Sequence, residues 1–215
     1  MSYSDPFPPL RGRPLTYWLD SDMARTAPET STSALRDMAW IHGQWRGLSG
    51  AATGLGIAFL GGGLLSLATM TSAIDLWLSL ILTGFALLAT GALVRAMKLP
   101  RIPQSRRPMA SRAPQKFTSG INLAILITAA VGLPVAFAIS GWLAQGLGPA
   151  FSFIAVCLLI VLGTSSIFAV PAYRAENARR DFRRYVDRNA AMRSELENLS
   201  MTCHDEHGER NFGPL

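Results

Sequence analysis

Four long apolar runs of this chain contain no Asp, Glu, Lys, Arg or His. Proton relays, ion-coupled transport and voltage sensing need ionisable groups at membrane depth, so none of them is expected. Haem takes axial ligands, usually His or Met, and the runs offer no His. Intramembrane proteolysis needs paired Asp, a Ser beside a base, or a metal motif. The hydroxyls at Thr53, Ser66, Thr83, Thr90, Thr128, Thr164, Ser165 and Ser166 have no base near them. They are expected to bond back to their own helix or across to a neighbour. The chain is read as non-enzymatic, with no catalytic residue, no cofactor and no metal.

Cysteine is scarce. Cys157 lies within the last apolar run and Cys203 near the end of the chain, so no disulfide framework is expected. The first 47 residues lack an apolar core and a small-residue cleavage site, and the expectation is that they are not a signal peptide. The polar pieces, about 47, 23 and 45 residues long, are each near or below the size at which a soluble domain sustains itself. An independent catalytic domain is therefore not expected.

The apolar runs cover approximately Leu48–Met70, Leu76–Val94, Thr118–Leu143 and Phe151–Val170. Each is long enough to cross about 30 Å of hydrocarbon as a helix, which needs roughly 20 residues. The fold class is an all-α membrane protein: two transmembrane hairpins (48–170), a cytoplasmic N-terminal arm (1–47) and a C-terminal helix and tail (171–215). All 20 basic residues fall before the first span, between the second and third, or after the fourth. The short connections 71–75 and 144–150 carry none. By the positive-inside rule, both termini and the central loop are cytoplasmic. This arrangement suits an inner (plasma) membrane. A net charge of +6 is then an orientation signal, and no nucleic-acid partner is expected.

Residues 1–30 read as an irregular arm containing Pro6, Pro8, Pro9 and Pro14. Thr30 to Ser33 supply N-cap oxygens for a short interfacial helix through Leu35, Met38, Ile41 and Trp45. Trp40 and Trp45 suit the headgroup region. The joining loop, Arg95–Lys116, has four prolines and no acid. It is expected to lie extended against anionic lipid headgroups.

Small residues recur every fourth position in the first span, at Gly50, Gly54, Ala58 and Gly62. The third span repeats the rhythm at Gly120, Ala124, Thr128 and Gly132. Helices in lipid associate by close packing, so these stripes mark contact faces. They suggest that the first and third spans meet at the centre of a bundle, or that one faces another protein. Gly50 and Gly120, like Gly62 and Gly132, are 70 residues apart, which suggests a tandem repeat of hairpins. Pro134 predicts a kink.

After the last span, Phe182, Tyr185, Asn189, Met192, Leu196 and Leu199 continue a heptad seam that begins at Ala175. One reading is a coiled coil with another helix, Asn189 fixing its register. The other is a single amphipathic helix lying against the membrane or the protein's own loops, with Arg179, Arg180, Arg183, Arg184 and Arg188 close to the bilayer. Cys203, His204 and His207 have metal-ligating chemistry but no second ligand pair, and a solvated tail is expected. The functional expectation is an accessory or assembly subunit of a membrane complex, or an oligomeric scaffold. The expected partners are the bilayer and another membrane protein or further copies of the chain. The alternative is an oligomeric pore, permease or membrane-permeabilising protein.

Overall fold

The computed structural model describes residues 14–19, 33–69, 71–101, 116–137, 147–202 and 212–215. Its helices are α1 (Leu15–Leu19), α2 (Ala34–Thr69), α3 (Ile74–Met97), α4 (Phe117–Phe137), α5 (Leu147–Glu176), α6 (Ala178–Arg188) and α7 (Ala190–Thr202). Four of them, α2 to α5, are long and apolar enough to cross a membrane. The protein is an all-helical, multi-pass membrane protein.

The residues form two compact units, one holding the described residues up to His42 and those from Ala178 onward. The other holds the membrane helices, from Gly43 to Pro100 and on to Asn177.

The first span begins far earlier than its apolar run. Ser33 caps it: the Arg36 backbone N–H donates to Ser33 Oγ at 3.2 Å. The helix then runs unbroken for 36 residues, about 54 Å at 1.5 Å per residue. The separate interfacial helix expected from the sequence is thus the first turns of the span itself. Of its expected apolar positions, Leu35 is fully buried in a protein core with Met38 packed against it, while Ile41 and Trp45 are half-buried outside that core.

That core belongs to the first unit. Leu15, Trp18 and Leu19 of α1 join Leu35 and Ala39 of α2, Phe182 and Val186 of α6, Met192 and Leu196 of α7, and Leu215. Backbone pairing fastens the ends together. The Leu35 N–H donates to the Phe212 carbonyl and the Leu215 N–H to the Trp18 carbonyl, each at 3.0 Å. Ser33 Oγ donates to the Pro214 carbonyl at 2.7 Å. His42 is buried between two rings, Phe182 at 5.6 Å and Tyr185 at 4.8 Å. The first and last polar pieces, each marginal alone, share one core. Residues 15–19, read as irregular arm, are helical because Leu15, Trp18 and Leu19 bury one face together.

The tail helix is not continuous. It breaks at Asn177 and again at Asn189, which caps α7 by accepting from the Met192 N–H at 3.2 Å. Asn189 Nδ2 also donates to Tyr185 Oη at 3.1 Å. A short polar side chain that competes for backbone groups favours a cap over a helix interior, which is why the seam bends there.

Candidate assembly surfaces

Within the membrane unit, α2 has two opposite glycine faces. One meets α3. A Cβ on Gly56 would stand 2.8 Å from Leu88 and 2.9 Å from the Gly84 carbonyl, and one on Gly63 would stand 2.6 Å from Ile81. The contact is reciprocal: a Cβ on Gly84 would meet Leu60 at 2.7 Å, and one on Gly91 would meet Thr53 at 2.7 Å. Ser49 Oγ spans the same seam, donating to the Gly91 carbonyl at 2.9 Å. The pairs Gly56/Gly63 and Gly84/Gly91 are each seven residues apart, a two-turn spacing that keeps both glycines on one face. Where α2 begins and α3 ends, Lys98 Nζ sits 5.3 Å from the Trp45 ring.

The other face carries the predicted stripe, but its partner is α5. A Cβ on Gly50 would stand 2.7 Å from Val170, one on Gly61 would stand 2.7 Å from Leu159, and one on Gly54 would overlap Ser166 Oγ. Ala58 lies against Gly163. The second stripe also turns to α5. A Cβ on Gly120 would meet Ala172 at 2.6 Å and the Phe168 carbonyl at 2.7 Å. Ala124 is buried, and Thr128 Oγ1 and Thr164 Oγ1 share a hydrogen bond of 2.7 Å. The first and third spans therefore do not meet through their stripes; each packs its small residues against the fourth. On α5 the partners are mostly small as well, Gly163, Thr164, Ser166 and Ala172, with Leu159 and Val170 the larger ones, so the backbones approach closely.

Both stripes fade at their far ends. Gly62 has only Leu80 near it, at 4.0 Å, and Gly132 has nothing within 4 Å of an added Cβ. The tandem repeat does not extend to packing either: Gly120 faces the helix that follows its own, whereas Gly50 does not. The start of α4 is tied to the end of α5 where Glu176 accepts from the Phe117 N–H at 2.7 Å. A carboxylate there satisfies an orphan donor and complements the helix dipole.

The tail seam packs on the chain itself, as in the reading of an amphipathic helix against the protein's own segments. Phe182 and Leu196 are fully buried and Met192 nearly so, while Tyr185 and Leu199 pack at the edge of the same core. They pair with the chain's own N-terminal residues, leaving no apolar seam for a coiled-coil partner or for lipid. The seam residues are the buried face of α6 and α7, and the N-terminal residues are what covers it. The Cys203–His207 cluster lies outside the described residues, and so does most of the basic loop. Among the described residues no group of three metal-ligating side chains converges.

What stays open is in the membrane. Within the most apolar stretch of each span, 17% of α2 residues and 11% of those in α3, α4 and α5 are buried. Between α4 and α5 lies an open apolar groove of about 310 Å³, lined by Ile121, Ala124, Ile125, Thr128, Val161 and Ser165, among others. The span hydroxyls mostly turn inward to their own helix. Thr53 donates to the Ser49 carbonyl at 2.8 Å, Thr164 to Ile160 at 2.9 Å and Ser166 to Leu162 at 2.7 Å. Helix-internal bonds of this kind satisfy the hydroxyls within their own helices. A scan of protein-family models finds no match to the chain, and neither the curated proteins nor the solved structures give one.

Proposed function

We propose that this chain is a non-enzymatic membrane protein that works by assembly, as an accessory subunit of a larger membrane complex or as a homo-oligomeric scaffold. The observation that carries the reading is the contrast between its two units. Outside the membrane helices, the one long apolar seam is consumed in the chain's own core. In the spans, most of the apolar surface is left unburied. Contacts with a partner therefore belong to the plane of the membrane, where close helix approach drives association. The spans form two antiparallel hairpins in an inner (plasma) membrane, with the termini and the basic loop in the cytoplasm, as the distribution of Lys and Arg implies.

Mild extraction of the full chain from its native membrane, followed by mass measurement of the intact particle, tests the reading. A stoichiometric foreign membrane protein, or a defined number of copies of the chain, is the expected result. A lone monomer would overturn it. A monomer or oligomer that also passes solute or current in liposomes would replace it with the pore. Labelling of introduced cysteines tests orientation: position 75 is expected to react from the outside and position 193 only after the membrane is opened.

A further inference from the structure

The helix α6 carries five arginines in eleven residues, Arg179, Arg180, Arg183, Arg184 and Arg188. Its other face is Ala178, Phe182 and Val186, buried at 3%, 0% and 0% exposure. At 100° per residue Arg180, Arg183, Arg184 and Arg188 lie 100° or more from the centre of that face and Arg179 at its edge, with Asp187 the exposed carboxylate among them and Asp181 buried. Arg179, Arg180, Arg184 and Arg188 are exposed, and Arg183 is half-buried with its Nε lacking an acceptor. Among the described residues none of the five has an ion-pair partner.

We propose that this arginine face is a docking surface for anionic phospholipid headgroups. An amphipathic helix at a membrane surface normally buries its apolar side in the acyl boundary and lays its basic side among the headgroups. That mode is closed to α6, because its apolar side is the core of the extramembrane unit. The surface reads charge alone. Lipid is favoured over an acidic protein by chain connectivity. A single residue, Asn177, separates α6 from α5, a helix that crosses the membrane. The apolar run of α5 ends at Val170, and the six helical residues from there to Glu176 rise about 9 Å, little more than the roughly 5–7 Å headgroup layer. The three residues from Glu176 to Arg179 add at most about 10 Å, close to the screening length of about 8 Å in physiological salt. The arginines thus begin within electrostatic reach of the bilayer surface. Each basic group held there favours docking roughly fivefold. The inference does not depend on the assembly reading, since it uses neither the span surfaces nor a partner.

Arginine modification by phenylglyoxal, a neutral reagent, reads the face directly by mass spectrometry. The full chain is placed in nanodiscs of phosphatidylcholine alone, or of phosphatidylcholine with phosphatidylglycerol, and Arg193 on α7 serves as internal reference. Arg180 and Arg184 are expected to react about fivefold or more slowly in the anionic discs, and the protection is expected to vanish at high salt. The double variant R180Q/R184Q, which alters exposed positions only, is expected to unprotect Arg179 and Arg188 as well. Equal rates in both discs would overturn the proposal, as would protection that high salt leaves intact. Protection seen only in native membranes would assign the face to an acidic protein and overturn the lipid reading too. The salt series on the unaltered chain stands even if the variant folds poorly.

Discussion

At the scale of single residues, identical glycines in one rhythm have different weights because their neighbours differ. Gly54→Leu is expected to destabilise the membrane unit by at least about 1–3 kcal/mol, the usual cost of overpacking, because its first added carbon would overlap Ser166. Gly63→Leu is expected to act similarly through Ile81 and the Trp77 carbonyl. Gly132→Leu is expected to leave stability within error, since nothing stands within 4 Å. Thermal unfolding of the three variants in lipid checks the ranking. The small-residue stripe was legible, but which helix it meets was not, because a repeat of four names a face and not its partner. Asn189 teaches the same lesson. In a coiled coil its replacement by Leu would strengthen association. As the cap of α7, Asn189→Leu is expected to cost about 1 kcal/mol and to speed hydrogen exchange at the Met192 amide.

At the scale of elements, α6 and α7 illustrate why an apolar period underdetermines structure. A heptad seam and the buried face of a short helix pair share the same three- and four-residue steps. Phe182, Met192 and Leu196 were therefore readable as buried, whereas their cover of Leu15, Trp18, Leu35 and Leu215 comes from the far end of the sequence. A signal for it existed: Leu15, Trp18 and Leu19 follow an i, i+3, i+4 pattern just after Pro14. Five residues are too few for periodicity to be trusted without the partner surface. Leu196→Asp is expected to unfold the extramembrane unit, because a carboxylate would enter an apolar core without a compensating charge. Leu196→Ala is expected to cost about 2–5 kcal/mol. Proteolysis of the chain in nanodiscs separates the readings. Rapid cutting within α6 and α7 is expected of Leu196→Asp, with the spans left whole. Loss of oligomers without local unfolding would instead restore an intermolecular seam.

At the scale of the whole molecule, the presence of four spans was legible from length and apolar composition, because lipid leaves a helix few alternatives, but the starts and ends of their helices were not. What escaped sequence reasoning was the unit built from both ends of the chain, since each piece alone is too small to bury a core. The most direct test is a cysteine pair at Ala34 and Phe212, beside the 3.0 Å bond from the Leu35 N–H to the Phe212 carbonyl. Cys157 and Cys203 are first replaced, and the chain is crosslinked in native membranes with a short bismaleimide. A link within one chain, formed at high yield and unaffected by dilution with cysteine-free copies, is the expected result. No link, or a link only between chains, would contradict a core shared by the two ends.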